Sequence, residues 1–178
     1  MKYNNNIAPA ADIEQRIAER FQQILDRYDF SHFTLPSFIA WVEEEQGKPI
    51  RTEAWPMPAT IFGAWLSGAE MDHIFFDKDA IPLHQVHIQL HELAHILCGH
   101  KTLTASEDIL ADILQGKFDA ADLLLRSAKS DEQEQEAELL SALIQEQVRR
   151  HIHFEELTKA VISDDEQHKL YIALGLLE

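Results

Sequence analysis

The five residues His91-Glu92-Leu93-Ala94-His95 constrain this chain more than any other stretch of it. Histidines four positions apart project from one face of a helix and can converge on a single cation. Glu92 lies about a hundred degrees round the helix axis, beside such a cation rather than under it. The flanking residues ask for a helix here. Pro82 suits its first turn, apolar Leu93, Ala94, Ile96 and Leu97 fill the other positions, and Gly99 follows Cys98 as a terminator.

That arrangement suits metal-assisted hydrolysis. Two neutral imidazoles hold Zn²⁺, the metal acidifies a bound water, and the neighbouring carboxylate takes the water's proton. A catalytic zinc takes three protein ligands and leaves one position open, so a third ligand must come from elsewhere in the chain. The metzincin pattern would put a glycine three residues after His95 and a histidine three further on, but Cys98 and Lys101 stand there and His100 is one position early. A carboxylate from a later helix is the other common solution. Glu134 and Glu138 share one face of a helix opening near Asp131, and small Ala137 and Ser141 on that side allow close helix approach.

The rest of the chain supplies a frame of helices and a small sheet. Ile13, Ile17, Phe21, Ile24, Leu25 and Tyr28 make the apolar stripe of a helix over 12–28, and Phe38, Ile39, Trp41 and Val42 that of a second over 35–46, stopped by Gly47 and Pro49. Three β-rich stretches, 49–55, 60–66 and 71–76, are punctuated by Pro56, Pro58 and Ser67-Gly68 and predict three antiparallel strands. Two short helical patterns over 106–129 part near Gly116, a long helix spans about 131–150, and two more cover roughly 154–162 and 164–177. With no repeat or linker, one domain over 1–178 is expected: N-terminal helices about 10–47, sheet about 49–77, metal helix about 82–99, third-ligand helix about 131–150 and C-terminal helices about 154–177.

Charge and composition exclude several classes. The net charge of -16, from 31 acidic residues against 15 Lys and Arg, repels phosphate backbones and argues against direct nucleic-acid binding. No apolar run is long enough for a membrane span or a signal core, and a lone cysteine, Cys98, offers no internal disulfide. A soluble, unsecreted, cytoplasmic protein is expected.

With these residues in view, the chain resembles the ImmA/IrrE family of metallo-endopeptidases over roughly 49–147. The motifs that carry the resemblance are His91-Glu92-Leu93-Ala94-His95-Ile96-Leu97-Cys98-Gly99-His100 and, later, Glu134-Gln135-Glu136-Ala137-Glu138-Leu139-Leu140-Ser141. The resemblance implies an α+β fold, a mostly helical zincin-like domain whose HExxH helix packs a small three-stranded antiparallel sheet. It maps the third ligand to Glu134. Family members carry Asn or Asp where Glu138 stands, orienting a ligand histidine, which makes Glu138 the candidate for that outer role. It also implies a protein substrate, a helix-turn-helix DNA-binding repressor or antitoxin-like regulator. The acidity of this chain would attract such a basic partner.

The sequence thus predicts a zinc-dependent endopeptidase with His91, His95 and Glu134 as metal ligands and Glu92 as general base. Mn²⁺ or Fe²⁺ can also occupy a two-His, one-carboxylate site, though zinc binds nitrogen-rich sites more tightly. The alternative from another class is a regulatory or toxin-antitoxin partner protein with a structural or sensing metal, which a fourth ligand such as Cys98 would favour. Hydrolysis of a small amide is a third reading, favoured by a narrow closed pocket. Cys98 itself reads as a packing residue, and His84 and His87 as ordinary helix-face histidines. Strand residues 73–76 are core, with an exposed edge as a possible peptide dock.

Overall fold

A computed structural model of the chain describes residues 10–57, 61–115 and 129–161. Its elements are α1 (Ala10–Leu25), a 3₁₀ turn (Phe30–His32), α2 (Leu35–Gln46), β1 (Ile50–Trp55), β2 (Gly63–Ser67), β3 (Asp72–Asp77), α3 (Pro82–Leu97), α4 (Glu107–Leu114) and α5 (Asp131–Val161). The fold is mixed helix and strand, as expected. The helical pattern expected beyond Gly116 and the last one, over 164–177, lie outside the described residues.

The sheet departs from expectation. Its order is β1-β3-β2, with β2 antiparallel to β3 but β1 parallel to it. The reason lies at one end of the sheet. Lys48, two residues before β1, sets its ammonium 2.6 Å from the buried Asp72 carboxylate and donates to Ser67 Oγ at 2.7 Å and the Gly68 carbonyl at 2.8 Å. That clasp ties the start of β1 to the start of β3 and the end of β2, so β1 and β3 run the same way. The near-continuous apolar run of β3 suits a central strand covered on both faces.

Alternate residues of the strands enter two cores. Trp65 and Ile74 face α3 and the main helical core, whereas Leu66 and Phe75 pack with Ala105, Leu110 and Ile113 around α4. The sheet is therefore a middle layer between α4 and α3.

Behind α3 lies α5. Ala137, Leu140, Ser141 and Ile144 of α5 are all fully buried, a helical face whose small members let α3 approach closely. The helix begins with a capping box: Gln133 N–H donates to Ser130 Oγ at 3.3 Å, and Ser130 N–H to Gln133 Oε1 at 3.2 Å. It continues without a break to Val161, where the sequence had suggested a stop near Arg150. No glycine or proline interrupts 131–161, so nothing local ends it.

The end of α3 decides where His100 sits. Gly99 takes φ +70°, the left-handed conformation that glycine adopts at little cost. Its N–H bonds the Ile96 carbonyl at 2.9 Å, and His100 N–H bonds the His95 carbonyl at 3.0 Å. This paired pattern is a Schellman motif. It folds His100 back beside the last turn of the helix that carries His91 and His95.

Candidate metal centre

The donor atoms of His91, His95 and Glu134 lie within 4.8 Å of one another, the one such group of three among the described residues. His91 Nε2 is 3.1 Å from His95 Nε2. Glu134 completes the triangle, with Oε2 3.3 Å from His91 Nε2 and Oε1 3.5 Å from His95 Nε2. The helix spacing supplies the two imidazoles, and the packing of α5 on α3 brings the carboxylate to them. His95 is fully buried, whereas the Glu134 side chain is 49% exposed, so the group opens to solvent on the α5 side.

The donor set fits a divalent metal of the zinc type in number and chemistry: two imidazole nitrogens and one carboxylate. Charge distribution agrees. The His91 ring and then the His95 ring, both against its oxygens, hold the Glu134 carboxyl far below the ordinary range, against the opposing effect of partial burial. Burial pushes His95 down to about 4, so its ring is neutral near pH 7. His91 behaves differently. Burial disfavours its charge, but the hydrogen bond to Glu134 and the nearby Glu92 outweigh that effect and raise its pKa.

Metal binding should depend on pH with a definite sign. Metal and protons compete for the same nitrogens. Glu134 is ionised and His95 neutral across the physiological range, so His91 is the ligand that still carries a proton on mild acidification. Zinc affinity is expected to fall by about tenfold per pH unit below the His91 pKa and to level off above it, one proton being displaced. Competition with a chelator of known affinity, repeated across pH, measures the slope; a flat profile through the histidine range would contradict it.

Glu92 is buried, with Oε1 close to Gly63 at the start of β2. Burial raises its pKa, with the Lys129 ammonium and then His91 pulling the other way. Lys129 Nζ stands 3.5 Å from Glu92 Oε2 and 5.8 Å from the centroid of the Trp65 ring. That distance is too long for a good hydrogen bond, and Oε2 finds no other donor among the described residues. A buried carboxylate oxygen with open capacity is where a water or a substrate N–H would be accepted.

Space around Glu92 depends on Gly63 at the start of β2. A Cβ there would lie 2.3 Å from Ile88 Cγ2 and 3.2 Å from Glu92 Oε1. Gly63→Ala is expected to cost about 1–3 kcal/mol through overpacking and to displace Glu92 while leaving the three metal donors in place. Urea denaturation together with metal content checks this; an unchanged midpoint would show that the strand and helix simply part.

Glu138 does not join the donor triangle. Its Oε2 lies 3.4 Å from His91 Nδ1, the nitrogen turned away from the donor group, so it fixes the ring from behind. His87 reaches the same carboxylate at 4.0 Å and meets Gln145 at 3.0 Å, while the His84 ring lies tilted against that of Phe62. Cys98 packs against the main core, with its thiol pushed up to about 11 chiefly by burial, and stands outside the donor group.

Four residues near the site have no role assigned by the sequence: Lys129 and Arg16, and His100 and Glu136, which appear there only as members of the motifs. The His100 position carried a signal, because a glycine closing the HExxH helix throws the next residue back onto its last turn. The other three depend on tertiary packing alone.

No family model, curated protein or solved structure matches this chain. No helix among the described residues is long and apolar enough to cross a membrane.

Proposed function

We propose that this protein is a metal-dependent endopeptidase of the zincin type, with His91, His95 and Glu134 as ligands to Zn²⁺ and Glu92 as general base. The observation that carries the reading is the convergence of those three donors beside a buried carboxylate whose Oε2 has open hydrogen-bonding capacity. A divalent metal held by this set supplies Lewis acidity toward water and the scissile carbonyl. Glu92 takes a proton from the attacking water at Oε2 and returns it to the amide nitrogen as the C–N bond breaks, leaving a carboxylate and an amine. The raised pKa of Glu92 suits both transfers, because a base that binds its proton too weakly serves neither.

The substrate class rests on the resemblance to the ImmA/IrrE family: a helix-turn-helix repressor or antitoxin-like regulator, acted on in the cytoplasm. The net charge of -16 supports a basic protein partner. The half-exposed Glu134 supports an open site rather than a closed small-amide pocket. A structural metal closed by Cys98 is disfavoured, because that thiol packs in the core.

The test is incubation of the zinc-loaded protein with purified helix-turn-helix regulators from the same organism, followed by mass spectrometry of the fragments. A chelator is expected to stop cleavage and added Zn²⁺ to restore it. Stoichiometric metal with the regulator bound and recovered whole would replace this proposal with a non-proteolytic regulatory role.

A further inference from the structure

The two ligand histidines are supported differently from behind. His91 Nδ1 faces Glu138 directly, but His95 Nδ1 faces a second histidine, His100 Nδ1, at 2.8 Å. His100 Nε2 is 2.7 Å from Glu136 Oε2, and Arg16 Nε donates to Glu136 Oε1 at 3.1 Å. Arg16 also binds Glu132 through Nη2 at 2.6 Å, and pairs with Asp12 on its own helix. The chain of contacts therefore runs from α3 through the turn after it to α5 and ends on α1. Burial decreases along it: the His95 side chain is 0% exposed, His100 6%, Glu136 14% and Arg16 40%.

The hydrogens follow from donor and acceptor chemistry. Glu136, paired with Arg16, is an ionised acceptor, so His100 Nε2 carries the hydrogen between them. In the neutral His100 ring, Nδ1 is then an acceptor, and the hydrogen between the two rings sits on His95 Nδ1. That leaves the lone pair of His95 on Nε2, the nitrogen in the donor triangle. The opposite ordering would place a hydrogen on Nε2 and close it to a metal.

We propose that His100 and Glu136, anchored by Arg16, are positioning residues that hold His95 with Nε2 presented for metal, and that through them the docking of α1 is coupled to metal affinity. This rests on the proposed metal centre and extends it to a helix remote from the HExxH motif. Coupling is reciprocal by thermodynamic necessity: whatever metal affinity gains from a docked α1, α1 gains in docking from bound metal.

Competition titration of Zn²⁺ alone against a chromophoric chelator tests it on the full chain. His100→Phe fills the space but cannot accept from His95, and is expected to weaken zinc binding by about 10–100-fold. Glu136→Gln and Arg16→Met are expected to weaken it by smaller factors, and Arg16→Lys to recover most of the wild-type affinity. Nitrogen-15 NMR of the zinc-loaded wild type should show His95 hydrogen-bearing at Nδ1 and metal-bound at Nε2. Should His100→Phe misfold, Glu136→Gln and Arg16→Met, whose sites are more exposed, still decide the matter. If all three bind zinc as tightly as wild type and lower only the metal-free melting temperature, these contacts are mere packing and the inference falls while the metal centre stands. If wild type itself binds no zinc, the metal centre falls first.

Discussion

Glu92→Gln is expected to retain its metal and to cleave about 10²–10⁴-fold more slowly, the usual contribution of a positioned acid–base group. The amide has the shape of the carboxylate it replaces, so contacts with β2 survive. What it lacks is the ability to take a proton from water. The donor triangle contains no atom of Glu92, and metal content should therefore stay at the wild-type level. Two readouts keep the outcomes apart: elemental analysis for the metal and fragment appearance for the chemistry. A variant that keeps its metal and cuts at the wild-type rate would remove Glu92 from the mechanism. One that loses both would make Glu92 a support of the site rather than its base.

Glu134→Gln is expected to behave in the opposite sense, losing metal and hence activity. An amide oxygen is a far poorer donor to a divalent cation than a carboxylate held ionised by two imidazoles. The loss of zinc affinity should exceed the roughly 10–100-fold that removal of an outer partner brings. Glu138→Gln provides the comparison. Its carboxylate meets the back of the His91 ring and, at 4.0 Å, His87, but no atom of the donor group facing the other way, so its effect should stay within that range. Zinc titration of the two variants side by side ranks them, and a larger loss from Glu138→Gln would exchange their roles.

Local signals made parts of this molecule legible in its sequence. The metal helix could be placed because Pro82 and Gly99 bracket it and the apolar residues between follow the helical period. Helix α2 ends at Gly47 for the same kind of reason. The order of the strands could not be read, since β1 pairs with β3 through a clasp at Lys48 that no local pattern announces. The full length of α5 could not be read, because the sequence splits the run into patterns over 131–150 and 154–162 while no glycine or proline between them ends the helix. At the site, spacing alone indicated His91, Glu92 and His95. For Glu134 it offered a pair of carboxylates, and the approach of α5 to α3 selects one of them. Arg16, Glu136 and Lys129 are visible only once three helices are packed.

The start of α5 restricts how this site can change over generations. Lys129, which faces Glu92, and Glu134, which faces the two histidines, are separated by the cap residue Ser130 and the first helical turn. Glu134 rides on the first turn of the helix and Lys129 directly precedes its cap. Adding or removing a single residue between them would rotate one relative to the other by about 100°, taking Glu134 off the α3 side. Over evolutionary time, substitutions in this stretch can tune the site by degrees, whereas a length change there abolishes it in one step. Homologues that preserve the function should therefore keep the residue count across 130–133, with a capping pair at its two ends.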